Sequence, residues 1–191
     1  PQPVPGAIRI STPGKTKPTT LVVGLAGAVA GAGQVEVRNT TSGTTATSPA
    51  SPGGSFAVTL AAGRNDGLEA RYRDPAGALS DPVPLRDRMQ TLGPGLGPPT
   101  GPDVVSAPDA QGRSTVTNDA GAGNPLLIDV PPQSTVLVSN EDNAAVVQTR
   151  ADGGGRFTAT IAAATGHTIH IMLVDPVDPT ATSDFLTFPV P

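Results

Sequence analysis

The chain has no cysteine and no tryptophan, one tyrosine, four phenylalanines and two histidines in 191 residues. Without cysteine there is neither a disulfide framework nor a thiolate metal site. No apolar run reaches the roughly 18 residues that a membrane-crossing helix needs. With 12 basic and 16 acidic residues the formal charge is −4, which provides no electrostatic footprint for nucleic acid. Glycine and proline are numerous, at 23 and 22, but the every-third glycine of collagen is absent. There is no G-x-S-x-G, no H-E-x-x-H, no P-loop and no G-x-G-x-x-G after a strand. The two histidines, His167 and His170, are three apart, so on a strand they point to opposite faces and cannot share a metal or a proton. These absences point away from an enzyme and from a resident cofactor.

What is present favours strands. Valine outnumbers leucine and threonine is abundant, and the apolar residues sit in short alternating runs. The net charge is too small to expand the chain by self-repulsion. Turn chemistry separates the runs: Ser42-Gly43, Asn65-Asp66-Gly67 and Asp152-Gly153-Gly154. The expected fold class is all-β.

The chain also repeats itself. Gln34–Asn39 matches Thr135–Asn140, Gly54–Ala62 matches Gly155–Ala163, and Arg73-Asp74-Pro75 matches Val174-Asp175-Pro176. The offset is 101 each time (34 to 135, 54 to 155, 73 to 174). With the Gly/Pro-rich stretch near Leu92–Pro102, this predicts two domains over 1–90 and 103–191, joined by a linker at 91–102.

Each copy holds about seven strand candidates, the pattern of a Greek-key sandwich. In the first copy they are Ala7–Ile10, Thr20–Leu25, Gln34–Asn39, Thr44–Thr47, Ser55–Leu60, Leu68–Arg73 and Leu79–Leu85. In the second, the first strand is either Val104–Ala107 or Ser114–Thr117. Leu126–Val130, Thr135–Asn140, Ala145–Thr149, Arg156–Ile161, Thr168–Val174 and Asp184–Phe188 follow.

Gln34–Asn39, Gly54–Ala62 and Asp74-Pro75-Ala76-Gly77 resemble the C-strand, G-S-F-x-V-x-L and D-x-A-G-x-x-S elements of tandem bacterial immunoglobulin-like (Big-type, fibronectin III-like) repeats. The second copy lacks the Ala-Gly step, reading Asp175-Pro176-Val177-Asp178-Pro179. The resemblance implies two tandem Greek-key immunoglobulin-like β-sandwiches of a secreted or cell-surface protein. Its expected role is structural or adhesive: a rigid spacer, or a building block of a surface filament, sheath or adhesin. A start at Pro1, without Met or a charged leader, is what removal of a signal peptide leaves.

Period-2 alternation assigns faces. Val35, Val37, Phe56, Val58, Leu60, Leu68, Ala70 and Tyr72 point inward in the first copy. Val136, Val138, Phe157, Ala159, Ile161, Ile169, Ile171 and Leu173 do so in the second. The outward face of the first copy is charged: Glu36, Arg38, Glu69, Arg71 and Arg73. The same face of the second reads Leu137, Ser139, His170, Met172 and Val174. A face that exchanges charge for Leu, Met and Val is a candidate contact surface. Leu137, His170, Met172 and Val174 are therefore the candidate partner-binding residues, for the other domain or another subunit. The Pro-rich ends, Pro1–Pro5 and Pro189–Pro191, suit arms along a neighbour or caps on sheet edges.

Calcium is the one metal the sequence suggests, through the loop oxygens of Asp142, Asn143 and Asp152, with Asn140 and Glu141 nearby. Asp66, Asp74 and Asp81 form a second set. A glycan- or calcium-dependent binding module is the alternative reading, and an accessory region of a larger secreted enzyme is a third. Sugar stacking would have to use Tyr72 or the phenylalanines, and Tyr72 and Phe56 are expected inside.

Overall fold

Alternating Val, Thr and aromatic residues between Gly- and Asn-based turns build thirteen strands and no α-helix in the described residues. The computed structural model of the protein describes residues 1–13, 18–85, 105–119 and 130–191. The first half contributes β1 (Ile8–Ile10), β2 (Thr19–Gly24), β3 (Gly33–Asn39), β4 (Thr45–Ala50), β5 (Phe56–Ala61), β6 (Leu68–Arg73) and β7 (Val83–Leu85). The second contributes β8 (Arg113–Thr117), β9 (Thr135–Asn140), β10 (Val146–Arg150), β11 (Thr158–Ala162), β12 (Thr168–Val174) and β13 (Thr182–Pro189).

Each half is two antiparallel sheets. In the first, β1-β2-β5 packs on β4-β3-β6-β7. In the second, β8 and β11 pair, and β10-β9-β12-β13 forms the other sheet. The chain changes sheets between β2 and β3, β4 and β5, and β5 and β6, which is a Greek-key path. Val105 bridges to Val116 and so extends the β8–β11 sheet.

The repeat holds at the level of ladders. Gln34 pairs with Arg73 and Pro49 in the first half; Thr135 pairs with Val174 and Arg150 in the second. The motif glycines keep one conformation as well. Gly54 and Gly155 both sit at φ 77°, where a side chain is strained, and a Cβ on Gly54 would overlap the Val29 carbonyl oxygen.

Two separate cores result. One contains all the inward residues expected of the first half, with Ile8, Ile10, Val22 and Leu85. The other contains all those expected of the second, with Val105, Val116, Phe188 and Val190. Tyr72 is buried in the first core, and its hydroxyl donates to the Ala32 carbonyl at 2.7 Å, with Gly31 O at 3.2 Å.

Some expectations shift. Arg113–Thr117 is the strand beside β11, the position expected for Leu126–Val130; Val130 is buried but lies in no strand, and 126–129 fall outside the described residues. Residue 104, the linker 91–102 and both domain boundaries also lie outside them. The strand expected over Leu79–Leu85 is reduced to Val83–Leu85, with Leu79 making a single bridge to Arg73.

Candidate functional site between the two halves

β2 is buried along both faces: Leu21, Val22 and Val23 have no exposed surface. Val22 points into the first core. Leu21 and Val23 point the other way, into a third apolar cluster with Leu137, Met172, Val174 and Phe185. The outer face of β1-β2-β5 is therefore stacked on the outer face of β10-β9-β12-β13. Strands covered on both sides lose the in/out alternation and become continuous apolar runs. β9 and β12 show the same loss, being buried throughout except at their first residues.

The candidate partner-binding residues all lie here. Leu137, Met172 and Val174 are packed against the first half, and His170 is 2% exposed at the edge of the cluster. The chain itself covers this face, so these four side chains are not open to solvent. The sequence reading missed the covering side, Leu21 and Val23. Its signal was there in the unbroken run Leu21-Val22-Val23.

Polar contacts frame the cluster. Glu141, in the turn after β9, reaches Thr59 on β5: one carboxylate oxygen, Oε1, accepts the Thr59 backbone N–H and its hydroxyl, both at 2.9 Å. The other, Oε2, lies 2.9 Å from His170 Nε2, which donates because a carboxylate can only accept. His170 Nδ1 is 3.1 Å from the Thr187 hydroxyl, and the Phe185 ring stands edge-on to the imidazole at 5.4 Å. Burial alone would push the Glu141 carboxyl up. The hydrogen bonds from His170 and Thr59 outweigh it and hold the group below its ordinary value.

Two further seams close the boundary. The Ser55 hydroxyl donates to the Ala144 carbonyl at 2.8 Å. The Thr12 N–H donates to Ser183 O at 3.1 Å, and the Thr182 hydroxyl donates to Ile10 O at 2.6 Å. Ala144 is fully buried at φ 62°, a left-handed conformation that its repeat equivalent Gly43 adopts freely at φ 81°. Ser139 Oγ is buried with no hydrogen-bond partner. The apolar term dominates. Burying one Leu, Met, Val or Phe side chain is worth about 1.5–3 kcal/mol, whereas a hydrogen bond nets about 1 kcal/mol.

The remaining candidates are used locally. Asp142 accepts the Thr168 N–H at 2.6 Å, and Asn143 donates to Ala162 O and accepts from the Ala145 N–H. Asp152 accepts the N–H groups of Gly154 and Arg156. Asp142 and Asn143 follow β9, while Asp152 follows β10, at the opposite end of that hairpin, so the three do not converge. Asp66 accepts from Gly63 N–H and Asn39, and Asp74 accepts from the Ala78 N–H. Among the described residues no three His, Asp or Glu side chains gather as metal ligands do. His167 precedes β12 and lies 3.0 Å from Asn140 Nδ2, with which it closes the end of the strand. Tyr72 and all four phenylalanines are buried. The Pro-rich ends lie on their own halves: Pro3 is buried, the Val4 N–H donates to Ala28 O, and Val190 enters the second core. A cavity of about 260 Å³ beside β1 is lined by Ile8, Arg9, Leu85, Pro179 and Thr182 from both halves.

No family model matches the chain, and no curated protein does. Solved structures similar to it include the Ca2+-stabilized adhesin with which an Antarctic bacterium binds ice (18% identity, TM-score 0.30, 96% of this chain and 48% of that one). Another is a two fibronectin type-III domain segment from chicken tenascin (12%, TM-score 0.31, 98% of each chain). A third is the BSP domain of a biofilm associated protein (15%, TM-score 0.30, 96% and 29%). The chain thus spans about half the length of the first and under a third of the last. By its strand order, the fold is that of tandem immunoglobulin-like domains. No described helix is long and apolar enough to cross a membrane.

Proposed function

We propose that this chain is a non-catalytic structural block of a secreted or cell-surface protein, its two immunoglobulin-like domains locked face to face. The observation that carries the reading is the use made of its reactive groups. Glu141 and His170, the most enclosed acid–imidazole pair in the described residues, are spent on bridging the two sandwiches. The sequence resemblance to tandem surface repeats and the Thr/Ser-rich exterior support the setting. The mechanism is mechanical: two hydrogen-bonded sandwiches with a shared apolar seam present a fixed shape to neighbouring protein. Face-to-face docking makes a thicker and shorter body than end-to-end domains would, so a stiff block fits better than an extended spacer.

The test uses the native full-length protein. Antibody against this region should label intact cells or their extracellular matrix, and protease added outside should remove the label. Electron microscopy of that material should show it within an assembly. A signal confined to the cytosol overturns the proposal.

A further inference from the structure

The docking contact is built from the positions at which the two copies differ. On the front faces, Leu137, Ser139, His170, Met172 and Val174 stand where the first half has Glu36, Arg38, Glu69, Arg71 and Arg73. The ladders establish the equivalence. Leu137 pairs with Met172 and Ser139 with His170; Glu36 pairs with Arg71 and Arg38 with Glu69. The back faces are inverted in the same way. In the first half Leu21 and Val23 pair with Thr59 and Ala57; in the second, Thr115 and Thr117 pair with Thr160 and Thr158. Among the described residues, the back face is apolar only in the first half, and the front face only in the second.

We infer that this contact is made once per chain and that the pair of sandwiches terminates its own stack. A head-to-tail contact between copies would press Thr115 and Thr117 of one chain onto Glu36, Arg71 and Arg73 of the next. Arg38 already pairs with Glu69 at 3.7 Å, and Glu36 lies opposite Arg71. Among the described residues Arg73 then has no acidic counterpart on the strands of that face, and enclosing an unmatched charge is strongly disfavoured. A contact that joins unlike faces without closing a ring grows into a fibre. Polar outer faces prevent this, as they do in the terminal units of stacked repeat proteins. Any longer assembly of this chain is therefore joined through edges, loops or ends, not through sheet faces. The inference is independent of where the protein acts in the cell.

Light scattering on the unmodified chain, from micromolar to millimolar, should give the mass of one chain, or an assembly whose mass neither Arg71→Glu nor Thr115→Arg changes. Two variants complete the test, Thr115→Leu with Thr117→Val, and Glu36→Leu with Arg71→Met and Arg73→Val. Each alone should remain monomeric, and their equimolar mixture should form a two-chain complex. Self-association of the unmodified chain that Arg71→Glu or Thr115→Arg abolishes would overturn the inference. So would two variants, folded by circular dichroism, whose mixture stays monomeric. Should a variant not fold, the unmodified chain with its two single-site controls still decides.

Discussion

The Glu141 carboxylate accepts the backbone N–H of Thr59 at 2.9 Å, from one sandwich to the other. β5 is an outer strand of its sheet, with donors that would otherwise face water or a stray strand. Glu141 thus satisfies an edge and fastens a domain boundary at once, while His170 holds its second oxygen. Glu141→Ala should cost about 1.5–3 kcal/mol, the range for a hydrogen bond to a charged group. Urea unfolding measures the loss, and hydrogen exchange should show the Thr59 amide losing protection. An amide equally protected in both proteins would remove Glu141 from this role.

Acid should loosen the same contact. The folded-state Glu141 carboxyl titrates below its ordinary value, so its stabilisation is complete above about pH 4.5 and disappears as pH falls through the lower folded-state value. Asp66, held down by the Gly63 N–H and Asn39, and Asp152, held down by the Arg156 and Gly154 N–H groups, act in the same sense. The Glu141 share is isolated by difference. Glu141→Gln should be less stable than the unmodified chain at pH 7, and the gap should narrow steadily below pH 4.5. Parallel stability curves at acid pH would contradict this.

Leu137→Glu with Met172→Glu places two carboxylates among Leu21, Val23 and Phe185. An uncompensated buried charge costs about 3–5 kcal/mol, more than this seam can absorb. The halves should separate while each keeps its inner core, because Val136, Val138, Ile171 and Leu173 face away from the change. Small-angle scattering should record a larger radius of gyration with an unaltered strand signal in circular dichroism. An unchanged scattering profile counts against docking through this face.

Ser139→Ala should stabilise the protein by about 1 kcal/mol, since it deletes a hydroxyl that is buried without a partner. A chemical denaturation midpoint at or below that of the unmodified chain would imply a partner for the hydroxyl.

Ala144→Val should destabilise by about 1–3 kcal/mol. The residue is fully buried at φ 62°, and a β-branched side chain is a poor occupant of the left-handed region. Gly43→Ala, at the equivalent but exposed position, adds a left-handed Cβ with no atom within 4 Å of it, so it carries the backbone penalty without the crowding. Thermal unfolding should rank Ala144→Val as the more damaging of the two.

The inner architecture was readable because period 2 leaves little freedom. Once Val35 and Val37 face inward, Glu36 and Arg38 must face out, and the 101-residue offset carries the pattern to Val136 and Val138. The unusual face, Leu137 to Val174, was readable for the same reason, as a loss of charge against its own repeat. What covers it was not. Leu21 and Val23 belong to a run that an ordinary central strand would also show, and nothing local says which face they seek. The sequence does not choose between Val104–Ala107 and Ser114–Thr117, because Thr115 and Thr117 look like the exposed side of an edge strand, and in β8 they are outward. The spread of Asp142 and Asp152 to opposite ends of one hairpin depends on register, which composition does not encode.

Tyr72 lies wholly within the first core, tethered through its hydroxyl to the Ala32 carbonyl, and there is no tryptophan to outshine it. Ultraviolet emission excited in the indole–phenol band therefore comes from one sandwich alone, and the other is dark apart from weak phenylalanine signals. A fluorescence melt that precedes or trails the circular dichroism melt would name the half that gives way first, with no label attached.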